Sequence, residues 1–142
     1  TLTYRYAVVT GDDPSTPQSE EFVPLAYGFT DYGQWYQGEI TGNWIFGNSN
    51  QKTHMVKGSA TLTDTVSLTA SWLNFTLDEP GQIGVADEAF GDEVDIFLDW
   101  QATDRLFLSA AAAVMVPGDG AKQFTGGDET WSHFMLYASV AF

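Results

Sequence analysis

The chain has 142 residues, with 19 acidic side chains, 5 lysines and arginines, a formal net charge of −14 and no cysteine. So few bases exclude nucleic-acid binding led by phosphate contacts. The missing thiols exclude disulfide scaffolds, cysteine nucleophiles and Cys-ligated zinc.

Aromatic residues make up 15% of the chain, and with its regular patterning this argues for an ordered protein. The length suits one domain or part of a larger one. No run approaches the ~18 apolar residues of a membrane-spanning helix; the longest covers residues 110–116, ahead of Pro117. Starting at Thr1 and moving straight into a strand-like pattern, the chain reads as a mature protein or a fragment.

In chain order, period-two alternation predicts seven strands, most of them long. Residues 2–10 alternate weakly. Residues 35–46 set Tyr36, Ile40, Trp44 and Phe46 against Gln37, Glu39, Thr41 and Asn43. Residues 53–62 set Val56, Ala60 and Leu62 against Met55, Lys57, Ser59 and Thr61. Residues 65–72 set Val66, Leu68, Ala70 and Trp72 against Thr65, Ser67, Thr69 and Ser71. Residues 92–102 give the clearest pattern, with Val94, Ile96, Leu98 and Trp100 opposite Glu93, Asp95, Phe97 and Asp99. Residues 104–116 follow, with Leu106, Leu108, Ala110, Ala112 and Val114 opposite Arg105, Phe107, Ser109, Ala111 and Ala113. The last strand sets Phe134, Leu136, Ala138, Val140 and Phe142 against His133, Met135, Tyr137 and Ser139. The alanines at 110–113 also suit a short buried helix by propensity, but unbroken alternation from Leu106 favours a strand.

Two connections, Thr63-Asp64 and Thr103-Asp104, are as tight as hairpin turns. The others, residues 11–34, 47–51, 78–90 and 117–129, are longer, and three of them hold most of the acid. Counting strands back from the C-terminus puts residues 11–34 on the side of the tight turns.

Alternation suits a soluble sandwich, whose polar face meets water. It equally suits an outer-membrane barrel, whose apolar face meets lipid. Strand length favours the barrel, since a tilted bilayer-crossing strand takes about 9–11 residues and soluble strands cluster near 5–6. Two loop-length classes and aromatics near strand ends point the same way. The expected interface aromatics are Trp44, Trp72, Trp100, Trp131 and Phe142, and the expected lumen-lining residues are Glu39, Lys57, Glu93, Asp95, Asp99 and Arg105. Arg105 is placed to pair with Asp99 across the turn.

The fold expected is therefore all-β, an antiparallel meander of about seven or eight strands forming all or part of a transmembrane β-barrel over residues 1–142. An eighth strand would lie within residues 21–30. The ending Phe134-Met-Leu-Tyr-Ala-Ser-Val-Ala-Phe142 resembles the C-terminal strand that the barrel-assembly machinery recognises in bacterial outer-membrane proteins. Gly11-Asp12-Asp13-Pro14, Glu21-Phe22-Val23-Pro24-Leu25, Trp35-Tyr36-Gln37-Gly38-Glu39-Ile40 and Asn48-Ser49-Asn50 resemble, in the same order, segments of the alginate-export family of outer-membrane barrels. Phe90-Gly91-Asp92-Glu93-Val94-Asp95, Asp104-Arg105-Leu106-Phe107-Leu108 and Pro117-Gly118 continue the likeness. The chain thus resembles the C-terminal part of such a barrel. The resemblance implies a passive channel in a Gram-negative outer membrane that passes a polar solute or polysaccharide, with membrane lipid and the assembly machinery as partners. A polyanion exporter would carry a basic constriction, whereas the expected lumen face here offers Arg5, Lys57 and Arg105 against four acids.

No cofactor is expected. Asp12-Asp13 and Asp87-Glu88 could hold Ca²⁺ in loops, but solvated loop charge is the plainer reading without EF-hand spacing. Catalysis is not expected. Ser132 and His133 point to opposite faces of a strand, which separates a nucleophile from its base, although Asp128 is near in sequence and Ser109 has inward parity. Two further readings are a carbohydrate-binding β-sandwich using Trp and Tyr, and a structural barrel that scaffolds a partner.

Overall fold

The structure, a computed structural model, describes residues 1–23 and 37–142. Its described residues form one six-stranded antiparallel sheet in which every strand pairs with its sequence neighbours. The strands are β1 Leu2–Val9, β2 Gln51–Thr63, β3 Val66–Leu77, β4 Ala89–Thr103, β5 Leu106–Pro117 and β6 Trp131–Val140. This is an all-β meander, open between β1 and β6. The alanine run lies inside β5, where Ala110 to Ala113 pair with β4 and β6, so tertiary pairing overrides helix propensity.

The two hairpin turns share one chemistry. Thr63 Oγ1 accepts from the Val66 N–H at 3.1 Å, and Thr103 Oγ1 accepts from the Leu106 N–H at 3.1 Å. A threonine hydroxyl thus closes each turn onto the backbone. These turns define one end of the sheet, and the long connections define the other. Register places Val9 of β1 opposite Gln51, so the connection after β1 leaves from the loop end and returns there. The expectation that residues 11–34 belong with the tight turns is thereby corrected. It counted one strand too many.

The surplus strand is the stretch 35–46. Its residues Gly38–Ile45 form an eight-residue π-helix instead, closed by Phe46 N–H donating to the Thr41 carbonyl at 3.0 Å. Ile40 and Trp44 lie four apart, a spacing that serves a strand face and a helix face alike. Gly38 and Gly42 weaken the strand option, and Asn43 Nδ2 donates to Glu39 Oε2 one turn earlier at 3.2 Å. Six strands, not seven or eight, are therefore present among the described residues. Residues 21–23 carry no strand, and the remainder of the suggested eighth strand, residues 24–30, falls outside the described residues.

The sheet has two storeys with opposite polarity. Toward the turn end, the outward face is apolar and open, with Val94, Ile96, Leu98 and Trp100 of β4 each 44–46% exposed. Toward the loop end the polarity reverses. On β1 to β4 outward positions become polar along one registered row, Tyr6, His54, Asn74 and Asp92, in which Asn74 Nδ2 donates to Asp92 Oδ1 at 3.1 Å; the row ends on β5 at Val116, which stays apolar and exposed. Inward positions become apolar, and Met55, Leu73, Phe75, Leu77, Phe90 and Met115 are buried beneath the loops. The short helix α1, Asp119–Thr125, covers part of this core through Ala121.

Candidate functional site

The inward face carries the candidate site, because the π-helix sits on it. Glu93 of β4 stands between Leu73 and Met115 in register, and its side chain is fully buried. A carboxylate in such an apolar wall is costly unless its oxygens are met. Here the helix start meets them. Ile40 N–H donates to Oε1 at 2.7 Å, and Thr41 N–H and Oγ1 donate to Oε2 at 2.9 and 2.7 Å. These are amides of the first turn, which lack partners within a helix, and an anion there also complements the helix dipole.

Neighbouring contacts extend the seat. Glu39 N–H reaches Asp95 Oδ2 at 3.4 Å, and Glu39 Oε1 stands 3.4 Å from His133 Nε2 on β6. Burial pushes the Glu39 carboxyl above the usual glutamate range; His133 and Asn43 pull against that push and Glu93 adds to it. Gly38 makes the approach possible. Its φ of +101° is a glycine conformation, and a Cβ there would stand 2.7 Å from Phe75 Cζ.

The far end of the helix is tied to the loops. Phe46 packs edge-on against Phe90 at 4.7 Å. Asn50, in the left-handed region, accepts from the Glu79 N–H at 2.7 Å and donates to the Glu79 carbonyl at 3.1 Å. Gly11 N–H donates to Asp78 Oδ2 at 3.1 Å, and the same carboxylate pairs with Lys52 at 3.0 Å. Three connections are thus knitted together above the inner face.

The expected lumen-lining residues separate into three groups. Glu93 and Asp95 point inward but are covered, so they hold the helix rather than line open space. Glu39 reaches the same cluster from the helix, not from a strand as expected. Lys57, Asp99 and Arg105 share the inward parity away from the helix. Asp99 accepts from Ser109 Oγ at 2.6 Å, so the partner expected from Arg105 is supplied by the residue directly opposite in register; Arg105 sits in the turn.

The aromatics also divide. Trp72 and Trp100 lie on the open apolar face, Trp72 near mid-strand and Trp100 near the turn end. Phe142 is fully exposed beyond β6. Trp131 and Trp44 correct the expectation of an outward position. Trp131 has inward parity and packs near Phe90 at 6.1 Å, and Trp44 rides on the inner helix 5.7 Å from His133. Counting from strand ends did not give their face.

Loop carboxylates close turns. Asp12 Oδ1 accepts from Glu20 N–H, Asp13 Oδ1 from Ser15 N–H and Asp87 Oδ1 from Ala89 N–H, at 2.8–2.9 Å. The Ser15 backbone and side chain hold Asp13 below its ordinary value. Among the described residues no three histidine or carboxylate side chains gather where they could hold a metal ion.

Sequence reasoning missed the helix seat. The available signal was the Gly38-Glu39-Ile40-Thr41-Gly42 stretch, too rich in glycine for a central strand. The chain matches no known protein family, no curated protein and no solved structure.

Proposed function

We propose that this sheet is a segment of a transmembrane β-barrel whose lumen passes a polar solute, in the outer membrane of a Gram-negative bacterium. The observation that carries the reading is the polarity reversal between storeys. Between the row at Asp92, that row excluded, and the turn at Asp104, the outward positions of β2 to β5 bear no charged side chain. Residues 93–103 match the about 9–11 residues of a tilted crossing strand. A soluble sandwich would place its carboxylates outward and its Val, Ile and Leu inward. This sheet does the opposite where the open band lies, and adopts the soluble arrangement only above it.

The order of motifs shared with alginate-export barrels supports an export or diffusion channel, with a polysaccharide among the candidate solutes. This chain does not supply a basic constriction, since Glu93 and Asp95 are engaged by the helix and Lys57 and Asp99 are of opposite sign. Selectivity for a polyanion would have to come from strands beyond it. Edges β1 and β6 would join those strands, because a barrel leaves no edge unpaired in lipid.

The full-length protein, reconstituted in a planar lipid bilayer, is expected to give discrete conductance steps. Folded, inserted protein without any conductance would overturn the channel reading and favour a structural barrel with a filled lumen.

A further inference from the structure

We propose that the π-helix Gly38–Ile45 is a constriction fixed to the lumen wall and that Glu93 is the residue that positions it. The narrowing of a passage rests on the barrel reading above; the seat itself rests on geometry.

Three observations converge. First, the wall beneath the helix is built to receive it. Glu93 spends both carboxylate oxygens on the first turn, at 2.7–2.9 Å, and no strand neighbour competes for them. Second, the helix is held at both ends. Gly38 fits against Phe75 and Glu93 at one end, and the Phe46–Phe90 contact with the Asn50–Glu79 hydrogen bonds holds the other. A segment tied at both ends does not swing as a lid, so it narrows the space at all times. Third, the helix has two unlike faces. Glu39, Ile40 and Thr41 are buried against the wall, while Trp44 is 69% exposed. A large ring carried on the inward side of the sheet, at the level of His133 and Ala113, takes up lumen cross-section that no strand residue there would fill.

The positioning role differs from the expectation that Glu93 and Asp95 line the open lumen. Buried carboxylates engaged by amides present no open charge to a passing ion. Their effect on transport would be exerted through the helix.

Two variants displace the helix by different means. Glu93→Ala removes the acceptor and one charge. Gly38→Ala keeps every charge and places a methyl group against Phe75 in a backbone conformation that alanine disfavours. In single-channel recordings of the full-length protein, both are expected to raise unitary conductance above wild type. A rise with Glu93→Ala alone would be an effect of charge and would overturn the proposal, as would no change with either. A readout independent of conductance uses the absence of native cysteine in this chain. Ala113, 2% exposed and paired with Asp95 and His133, becomes a reporter as Ala113→Cys. A water-soluble maleimide is expected to label it slowly in the otherwise wild-type protein and rapidly when Gly38→Ala or Glu93→Ala is added. Ready labelling without either change would overturn the seat. Protection at Ala113→Cys together with a silent bilayer would uphold the seat and remove only the channel.

Discussion

Glu39 is a glutamate with 2% of its surface exposed, and an ionised carboxylate at such a position opposes folding. Its carboxyl is raised above the ordinary value of 4.5 by burial first, with Glu93 adding to the shift and His133 and Asn43 reducing it. The sign follows from linkage. Above the raised folded value the ionised group works against the seated helix in full; as pH falls through that value the opposition is withdrawn, and below the ordinary value it is gone. Asp95 and Glu93 of β4, His133 of β6 and Asn43 of the same helix face the group, so a substitution must isolate it. Glu39→Gln does so, since it is neutral throughout. Amide protection of Ile40 and Thr41, corrected for intrinsic exchange, is expected to rise in the wild type as pH falls through the raised value toward the ordinary value of 4.5, and to be flatter in Glu39→Gln. A flat wild-type profile would show that the helix is indifferent to this charge. The alternation put Glu39, Glu93 and Asp95 on one face but not in contact. Glu39 and Glu93 are far apart in the chain, and their meeting depends on a helix folding back onto a strand.

At the scale of elements, the strands were legible because each has one consistent face over the open band. Their upper ends were not. The alternation predicts that β3 stops at Trp72, yet the strand continues to Leu77. Beyond Trp72 the apolar set changes sides, from Trp72 outward to Leu73, Phe75 and Leu77 inward, so a pattern followed by parity ends where the environment changes. In β4 Phe90 and Val94 share parity, and the register shift opposite Phe75 and Thr76 is what turns Phe90 to the buried side. Residues 35–46 misled for a different reason, because a spacing of four satisfies both periods. The switch gives the element-scale test. Ile96→Arg places a charge mid-band on the outward face of β4 and is expected to cost about 2–4 kcal/mol in lipid, whereas Asn74→Arg, in the polar row, is expected to cost at most about 1 kcal/mol. Urea titration of the protein folded in phospholipid vesicles measures both. If the open face met water, Ile96→Arg would stay within about 0.5 kcal/mol, as at other exposed sites, and the two variants would not separate.

Considered whole, the molecule sorts its charge by height. Acids gather in the loops, a few are enclosed on the inner wall, and the outward band between carries none. The meander and the orientation of its faces could be read from the sequence; closure could not, since it depends on what the β1 and β6 edges meet. Whether the sheet meets lipid, and with which side, is open to a direct measurement, because four described tryptophans divide evenly. Trp72 and Trp100 lie outward, 43% and 46% exposed; Trp131 and Trp44 lie inward, beside Phe90 and His133. In vesicles made with brominated acyl chains, variants that keep only Trp72 or only Trp100 are expected to be quenched strongly. Variants that keep only Trp44 or only Trp131 are expected to stay bright. Because Trp72 stands closer than Trp100 to mid-strand, bromines placed deep in the acyl chain should quench it more, while shallow bromines should favour Trp100. A soluble sandwich would leave all four bright at every depth, and a sheet with its faces reversed would quench the other pair. The pattern therefore tests the facing of the whole sheet independently of any transport, and it does so at the level of the fold on which the proposed channel and the proposed constriction both depend.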